Sequence, residues 1–398
     1  MASQIVLTGG RTLSYEYDAE ERITKVTDSL EGVTEYTYDA LGQLLTENVN
    51  NTVVNTMTYD NYGNIRSKNG VTYTYGNGAW KDLLTGYNGL SVIYDAQGNP
   101  TNYLGHPLTW EKGRQLKSFD NIQYTYNANG IRTSKTVCGV RHRYTLDGTK
   151  VLREEWSDNT LVPLYDNEDG VCGVIYNNEP FYFQKNLQGD VIAIYDRNTE
   201  VVARYTYDGW GKVLSVRDGN GADVLGCCEH IAVVNPYRYR SYYYDEELGI
   251  YYLQNRYYDP TVGRFVNADE ITTLILDRNG FIYLKSYSYC WNNPINCKDP
   301  SGYGPVGAAI GAILGFGLGA IVVPYIADLL NLKGWGRKLF IWAGTAAITA
   351  LGAWAGYYVG EAIFKIYTVG GTLYLLPAKW HKIYLEMLLM MRQEHIFL

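Results

Sequence analysis

Short runs of alternating apolar and polar residues dominate the first 235 positions, and most of them are marked by tyrosine. They read YEYD at 15, YTYD at 36, MTYD at 57, VIYD at 92, YTYN at 124, YTLD at 144 and YTYD at 205. Alternation with a period of two residues predicts β-strands that bury one face. Because no convincing amphipathic helix precedes residue 303, we expect this part of the chain to be almost entirely β.

Most of these runs continue into an Asp-x-x-Gly turn. The aspartate accepts hydrogen bonds from its own turn, and the glycine supplies a positive φ. The first three tyrosines before the turn, Tyr17, Tyr38 and Tyr59, are evenly spaced, and later units are spaced irregularly. An isolated β-hairpin is marginally stable in water, so the units are expected to stack into one continuous sheet.

Composition and charge narrow the class of protein. The chain has 39 Tyr against 9 Phe and 9 Trp, which indicates strands whose faces are only partly dry. Residues 304–398 contain seven basic and four acidic residues, so the formal charge of −7 is concentrated in the first 303 residues. An acidic body argues against nucleic acid as the main partner.

The tyrosine–aspartate units resemble the YD repeats of Rhs proteins, teneurins and the C subunits of insecticidal toxin complexes. RYRSYYYDEELGIYYLQNRYYDPTVGRFVNADE, from residue 238, and YSYCWNNPINCKDPSGY, ending at Tyr303, resemble the Rhs repeat-associated core. The resemblance covers most of residues 10–303 and implies a mainly β fold. In that fold a YD-repeat sheet spirals into a hollow shell that the core plugs.

We accordingly divide the chain into four parts. Residues 1–235 are the expected YD-repeat shell, and 236–303 are the core, which ends at the DPSG boundary. Residues 304–365 are an expected hydrophobic α-helical hairpin, and 366–398 are a short variable tail. In proteins of this family the segment after the boundary is often a toxin carried inside the shell.

The resemblance also implies chemistry at the boundary, because the core of some relatives is an aspartyl protease that cuts the chain after the Asp-Pro-x-Gly motif. Here the boundary comprises Pro294, Asp299, Pro300 and Gly302, and the expected cut is the Gly302–Tyr303 bond. Relatives often carry Leu where Tyr303 stands.

Peptide hydrolysis by carboxylates needs two of them close together, one protonated and one ionised. By position in the core motif, Asp245 and Asp269 are the candidate pair, and Arg238 or Arg240 is expected to hold one of them ionised. Asp259 precedes a proline and is interpreted as a turn residue. Alternatively, these carboxylates only satisfy turns and pair with the arginines of the core, namely Arg238, Arg240, Arg256 and Arg264.

Other site chemistry has little support in the sequence. The five histidines are scattered, and no HExxH, GxSxG or P-loop motif occurs. The six cysteines form no CxxC pair and are interpreted as incidental buried thiols, while CCEH at 227–230 lacks distant partners for a metal. We therefore expect no cofactor and no metal site.

The composition changes abruptly after Tyr303. Residues 306–327 and 339–360 are each 22 residues long without a charge, enough to span a bilayer as a helix. Glycines four residues apart allow close helix packing; they are Gly307, Gly311, Gly315, Gly319, Gly352, Gly356 and Gly360. Such a hairpin either inserts into a target membrane or packs dry as a linker. The remaining residues are too few for an independent toxin domain.

The leading hypothesis is the C-terminal part of an Rhs-type polymorphic toxin. It implies the chain's own C-terminal segment as cargo, together with a target membrane and a cognate immunity protein as partners. The N-terminus shows no signal peptide, so we expect secretion or surface display through an upstream region missing from this chain. The alternatives are a cell-surface adhesion protein whose tyrosines bind carbohydrate, without enzymatic activity, and a truncated, non-functional fragment.

Overall fold

A computed structural model of the chain describes residues 3–269 and 286–302, together with the backbones of 275–276, 282–283, 364–369 and 372–377. The chain separates into two compact units, Met1–Gly304 and Pro305–Leu398. The first unit contains the repeats and the core, and its described residues are mainly β, as the sequence predicts.

A sheet of 23 strands forms most of the first unit. Each strand pairs antiparallel with the next one along the chain, so the connectivity is a pure meander. The strands are β1 (Gln4–Val6), β2 (Thr12–Tyr17), β3 (Ile23–Asp28), β4 (Gly32–Tyr38), β5 (Leu44–Val49), β6 (Thr52–Tyr59), β7 (Ile65–Lys68), β8 (Val71–Thr74), β9 (Gly86–Tyr87), β10 (Leu90–Tyr94), β11 (Pro100–Tyr103), β12 (His106–Glu111), β13 (Gln115–Phe119), β14 (Ile122–Tyr126), β15 (Arg132–Val137), β16 (Val140–Asp147), β17 (Lys150–Trp156), β18 (Asn159–Tyr165), β19 (Val171–Tyr176), β20 (Glu179–Lys185), β21 (Val191–Tyr195), β22 (Val201–Tyr207) and β23 (Val213–Asp218).

The turn after the tyrosine–aspartate pair has a repeated hydrogen-bond pattern. In the second tyrosine–aspartate repeat, Oδ1 of Asp39 accepts the backbone N–H groups of Leu41 and Gln43 at 2.9 and 2.8 Å, and Gly42 adopts a φ of 80°. The same pattern recurs at Asp18, Asp60, Asp95, Asn127, Asp166, Asp196, Asp208 and Asp218. The side-chain oxygen of the aspartate or asparagine therefore replaces backbone hydrogen bonds that the tight turn cannot make.

The tyrosine before the aspartate connects each repeat to the preceding repeat by a hydrogen bond. The hydroxyl of Tyr38 donates to the carbonyl of Ile23 at 2.5 Å, and the hydroxyl of Tyr59 donates to that of Leu44 at 2.6 Å. Equivalent bonds are made by Tyr94, Tyr126, Tyr165 and Tyr207. A half-buried ring with a satisfied hydroxyl suits this position, which accounts for the abundance of tyrosine.

The two ends of the meander meet. The Gln184 amide and the Tyr195 hydroxyl both donate to the carbonyl of Thr8 at 3.0 Å. Further along the same contact, the backbone N–H of Gly209 donates to Glu47 at 2.9 Å. We call the contact between residues 8–55 and residues 184–209 the seam.

A second sheet of four strands, the core sheet, packs against the large one. Its antiparallel strands are β24 (Tyr243–Asp245), β25 (Ile250–Leu253), β26 (Arg256–Asp259) and β27 (Arg264–Phe265). The Tyr251 and Tyr258 hydroxyls donate to the carbonyls of Gly211 and Trp210 at 2.8 and 2.7 Å. One buried cluster thus includes side chains from both sheets.

Helical structure in the described residues is limited to short pieces. A single turn, α1 (Ile231–Val234), is capped by His230, whose Nδ1 accepts the N–H of Ala232 at 3.1 Å. Three-residue 3₁₀ turns lie at Thr8–Gly10, Tyr239–Ser241 and Cys290–Asn292. None of the helices in the described part of the chain is long and apolar enough to cross a membrane.

Two further hairpins complete the description. One joins β28 (Ile275–Leu276) to β29 (Ile282–Tyr283), and the other joins β30 (Phe364–Val369) to β31 (Thr372–Pro377). The last hairpin was not predicted, and it shows that the expected helical segment does not extend through 364–365. The rest of that helical hairpin, including its seven glycines, lies outside the described residues.

The cysteines differ in part from the sequence-based expectation. All six are free, but Cys138, Cys227 and Cys228 are exposed and only Cys290 is fully buried. The prediction of buried thiols is therefore wrong for the three exposed positions.

Candidate active site around Arg256

A single buried arginine joins two carboxylates of the core. Nη2 of Arg256 lies 3.2 Å from Oδ2 of Asp269 and 3.0 Å from Oδ2 of Asp299, and all three side chains are buried. Both contacts end on the same nitrogen atom, so Arg256 bridges the two carboxylates. Two acids sharing one guanidinium form the kind of cluster that supports acid–base chemistry.

Short-range structure positions each member of this cluster. Arg256 begins β26 directly after the turn from β25, and its guanidinium carbon lies 3.4 Å from the centre of the Phe265 ring on β27. The backbone N–H of Asp269 donates to the carbonyl of Ser286 at 2.9 Å. The backbone N–H of Asp299 donates to the Tyr242 hydroxyl at 2.7 Å. Strand pairing and these backbone bonds fix the three side chains from separate parts of the core.

The expected cleavage site contacts the same arginine. Nε of Arg256 donates to the carbonyl oxygen of Gly302, and the N–H of Gly302 donates to Oδ1 of Asp299 at 2.9 Å. Gly302 adopts a φ of 74°, and a Cβ added there would lie 2.4 Å from the carbonyl oxygen of Leu253. Only glycine brings the backbone this close to the guanidinium. Tyr303 itself lies outside the described residues.

Other residues of the boundary motif have structural contacts. The buried Pro294 places its carbonyl oxygen where Arg240 and the Tyr239 hydroxyl donate to it. Pro300 is exposed. The motif therefore anchors the chain on both sides of Asp299, the residue that contacts Arg256.

Among the described residues, Asp245 is held by cations other than Arg256. Asp245 is fully buried and is held by Arg132 at 2.6 Å and by Lys135 at 2.9 Å, both from β15. Burial alone would raise the pKa of Asp245, but the two cations outweigh burial and keep that pKa below its ordinary value. Asp245 therefore has the contacts of a structural ion pair between the two sheets.

Arg238 is also placed differently from the sequence-based expectation. It pairs with Glu246, and its guanidinium lies 4.6 Å from the centre of the Tyr244 ring. Arg240, the other arginine considered, lies 3.8 Å from Asp190. The arginine that holds a carboxylate pair is Arg256, which the sequence analysis assigned only a structural role. Arg256 lies within NRYYDP and Asp299 within DPSG, and neither stretch carries a sequence signal for the contact between them.

Asp259 has the geometry of a turn residue. Its Oδ1 accepts the N–H groups of Thr261 and Val262 at 2.8 and 3.1 Å, and the Tyr103 hydroxyl donates to its Oδ2 at 3.0 Å. Burial raises the pKa of Asp259, and these hydrogen bonds oppose that effect. This agrees with the interpretation of Asp259 as a structural aspartate.

A meander of tyrosine–aspartate hairpins, packed on a core sheet with a buried carboxylate pair, defines a repeat-built β-sheet protein. Residues 149–295 match the family model described as Teneurin YD-shell. The chain belongs to the Rhs/YD-repeat proteins.

The proteins to which this chain is similar are much longer than the part that it matches. It is 33% identical over 286 residues to the tRNA nuclease WapA of Bacillus subtilis, covering 67% of this chain and 12% of that protein. It is 25% identical over 337 residues to double-stranded DNA deaminase toxin A of Burkholderia cenocepacia, covering 73% of this chain and 22% of the toxin. A solved structure of the Tc holotoxin pore of Photorhabdus luminescens matches 74% of this chain and 17% of its own, with a TM-score of 0.56 and 18% identity. The chain therefore spans a small part of these relatives.

Proposed function

We propose that this chain forms the shell part of an Rhs-type polymorphic toxin and that its core cuts the Gly302–Tyr303 bond. The catalytic carboxylates in this proposal are Asp269 and Asp299. The observation that carries it is the contact of Arg256 with both carboxylates and with the Gly302 carbonyl oxygen. Asp269 is the one member of the pair predicted from sequence that remains. Asp299 takes the place of Asp245, and Arg256 takes the place of Arg238.

The arrangement suits hydrolysis by an acid pair. The ionised carboxylate takes a proton from a water molecule, whose oxygen attacks the Gly302 carbonyl carbon. Negative charge develops on the carbonyl oxygen, where Arg256 already donates a hydrogen bond. The protonated carboxylic acid gives its proton to the Tyr303 nitrogen as the peptide bond breaks. The immediate products are a carboxylic acid at Gly302 and a neutral amine at Tyr303, and the aspartate pair again carries one proton, now on the residue that acted as the base.

Intact-mass analysis of the expressed full chain tests this proposal. We expect two fragments, 1–302 and 303–398, from the wild-type chain, and an uncut chain from Asp269→Asn and from Asp299→Asn. Asp245→Asn is the matched control, because Asp245 is an equally buried acid of the same core held by other cations. We expect the folded Asp245→Asn chain to be cut.

Two outcomes contradict the proposal. One is an uncut wild-type chain that is folded by circular dichroism. The other is cleavage that survives Asp299→Asn and is lost in a folded Asp245→Asn chain, which would restore the pair expected from sequence.

The toxin assignment rests on the relatives. Two of them are a tRNA nuclease and a double-stranded DNA deaminase toxin, and this chain matches a minor part of each. We propose that the segment after Gly302 is the cargo, that a cognate immunity protein is its partner, and that the protein acts outside the producing cell. The proposed parts are the shell at 1–235, the core at 236–303, and the segments 304–365 and 366–398. Co-purification of the cut fragments tests the cargo assignment, since separation on a sizing column would contradict it.

Membrane insertion of the tail is proposed from sequence alone, on the two uncharged stretches at 306–327 and 339–360. Liposome flotation of the full chain, compared with a chain ending at 303, tests it. Equal flotation of the two chains would contradict it.

The adhesion alternative has less support. It requires tyrosine rings on the sheet faces that are free to stack on sugars. The repeat tyrosines instead lie against neighbouring units and donate their hydroxyls to backbone carbonyls, as Tyr59, Tyr126 and Tyr207 do.

A further inference from the structure

Two residues of the repeat shell hold the part of the core that carries Asp269. Nη1 of Arg114, in the turn between β12 and β13, donates to the carbonyl of Ala268 at 2.5 Å. Oδ2 of Asp82, between β8 and β9, accepts the backbone N–H of Ser286 at 2.6 Å. Ala268 directly precedes Asp269, so the shell contacts the chain beside one of the two proposed catalytic acids.

The backbone of Ser286 connects the shell to the carboxylate cluster. Its carbonyl accepts the backbone N–H of Asp269 at 2.9 Å and Nη1 of Arg256 at 3.2 Å. Its N–H donates to Asp82, a side chain that is only 5% exposed. Because an unpaired buried polar group is costly, these bonds hold the Ser286 backbone on both sides. Asp82 therefore fixes the acceptor that orients Asp269 and Arg256.

The shell and the core also pack together around these bonds. Leu83 of the shell forms a buried cluster with Ala268 and Tyr287 of the core. The Tyr287 hydroxyl donates to the carbonyl of Gly98, between β10 and β11, at 2.6 Å. These contacts attach the core at 268 and 287 to the part of the shell between β8 and β11.

The other two members of the cluster have positioning contacts within the core itself. The backbone N–H of Asp299 donates to the Tyr242 hydroxyl at 2.7 Å, and the guanidinium of Arg256 packs on the Phe265 ring. All four residues belong to the core at 236–303. The acid pair therefore depends on two events, because the core places Asp299 and Arg256 whereas docking of the core on the shell places Asp269.

We propose that cleavage after Gly302 is coupled to the docking of the core on the shell and that Asp82 and Arg114 are the positioning residues of this coupling. The inference rests on the cleavage proposed above. Before docking, Asp269 lacks the contacts that place it beside Arg256, so the chain stays whole. After docking, the acid pair is complete. The cut is thus confined to chains in which the shell from β8 to β13 has folded.

The first test is the rate of cleavage of the full chain, made by cell-free translation and followed by intact mass over time. Asp82→Ala removes the acceptor of the Ser286 N–H and should slow cleavage by about tenfold, the effect of one lost hydrogen bond to a charged group. Asp82→Asn keeps an oxygen that accepts this N–H and should restore the rate to within about threefold of the wild type. Arg114→Ala should also slow cleavage by about tenfold.

Asp60→Ala is the matched control. Asp60 is a turn aspartate of the shell, and its described hydrogen bonds stay within residues 60–64. We expect this variant to lose stability but to be cut at the wild-type rate. Equal slowing in Asp60→Ala and Asp82→Ala would show that a general loss of stability accounts for the effect, and it would overturn the inference.

Hydrogen exchange tests the positioning independently of cleavage. In an Asp299→Asn chain, which is expected to stay whole, adding Asp82→Ala should speed exchange of the Asp269 N–H by about tenfold. The N–H of Val266, which donates to the carbonyl of Tyr257 at 2.8 Å, is the internal reference and should exchange as before.

Three results would overturn the inference. They are unchanged exchange at Asp269, an unchanged cleavage rate in Asp82→Ala, and an Asp82→Asn chain that is cut as slowly as Asp82→Ala. An uncut wild-type chain contradicts the proposed cleavage instead, and the exchange measurement then decides whether the shell positions Asp269.

Discussion

At the scale of single residues, contact with a particular partner decides what a carboxylate can do. Asp245 and Asp269 belong to the same motif and are both buried. Asp245 faces Arg132 and Lys135, whereas Asp269 shares Arg256 with a second acid. The two cations keep the pKa of Asp245 below its ordinary value, whereas Asp269 and Asp299 share a single guanidinium.

Gly302 gives the sharpest residue-scale prediction, which rests on the proposed cleavage. In Gly302→Ala the new Cβ would lie 2.4 Å from the carbonyl oxygen of Leu253 and 3.0 Å from the backbone nitrogen of Arg256. We expect the peptide to move off the guanidinium and cleavage to stop, with a stability loss of about 1 kcal/mol from the positive φ. Intact mass and thermal unfolding measure the two effects.

Gly139→Ala is the control that separates the cost of a positive φ from the movement of the Gly302 peptide away from Arg256. Gly139 has a φ of 82° and nothing within 4 Å of an added Cβ. We expect the same small stability loss with cleavage intact. Normal cleavage in Gly302→Ala would show that the close approach to Arg256 is not needed.

At the scale of elements, each tyrosine–aspartate repeat is held by hydrogen bonds between residues close together in the sequence. This is why the sequence predicts the repeats well. The bonds of the Asp39 carboxylate reach only two and four residues along the chain. The Arg256 cluster is different, because Arg256 and Asp299 are 43 residues apart and meet only after the core sheet has formed. Spacing along the chain contains no information about such a contact, so sequence reasoning selected Asp269 but missed its partners.

Even within the repeats, one aspartate of the pattern, Asp147, does not make the hydrogen bonds of the repeated turn. The repeat at 144 reads YTLDGTKVL, in which Asp147 follows the same tyrosine spacing but no Asp-x-x-Gly turn follows it. In the structure Asp147 pairs with Lys150 across a two-residue turn, and its exposed carboxylate accepts no hydrogen bond from the described residues. The tyrosine–aspartate spacing was right there, but the turn was too short for the repeated hydrogen-bond pattern.

This difference predicts unequal costs for the same substitution. Asp60 accepts the N–H groups of Tyr62 and Asn64, both at 2.8 Å. Asp60→Ala leaves these donors without their acceptor and should lower the free energy of unfolding by about 1–3 kcal/mol. Asp147→Ala should change it by less than about 0.5 kcal/mol. Urea denaturation of both variants measures the difference, and equal losses would mean that the turn bonds do not set the stability of a unit.

At the scale of the whole first unit, the meander gains stability where its ends meet. Glu47 on β5 and Asp208 after β22 both accept from the Asn55 amide, at 2.7 and 3.1 Å. Lys68 on β7 lies 3.6 Å from Asp208 and donates to the carbonyl of Pro260 at 2.9 Å. This buried cluster connects the early repeats, the last repeat and the core sheet, which are far apart in sequence.

The cluster makes the stability of the seam depend on pH. Burial, together with the neighbouring Asp208 carboxylate, raises the pKa of Glu47 to about 7, against the opposing effects of Gly209, Asn55 and Lys68. The ordinary value is 4.5. The folded chain therefore keeps this proton up to about pH 7, whereas the unfolded chain releases it near pH 4.5. Raising the pH through this window removes stability that is fully present below it.

Glu47→Gln should abolish this contribution. The amide oxygen still accepts from the Gly209 N–H, but the side chain no longer has a charge to bury. We expect the melting temperature of the variant to exceed that of the wild type at pH 8, with the gap closing towards pH 5. Glu16→Gln removes the same charge from an exposed position on β2 and should show no such gap. A wild-type melting temperature that rises steadily from pH 5 to 8, in parallel with that of Glu47→Gln, would mean that Glu47 is ionised in the folded seam throughout this range.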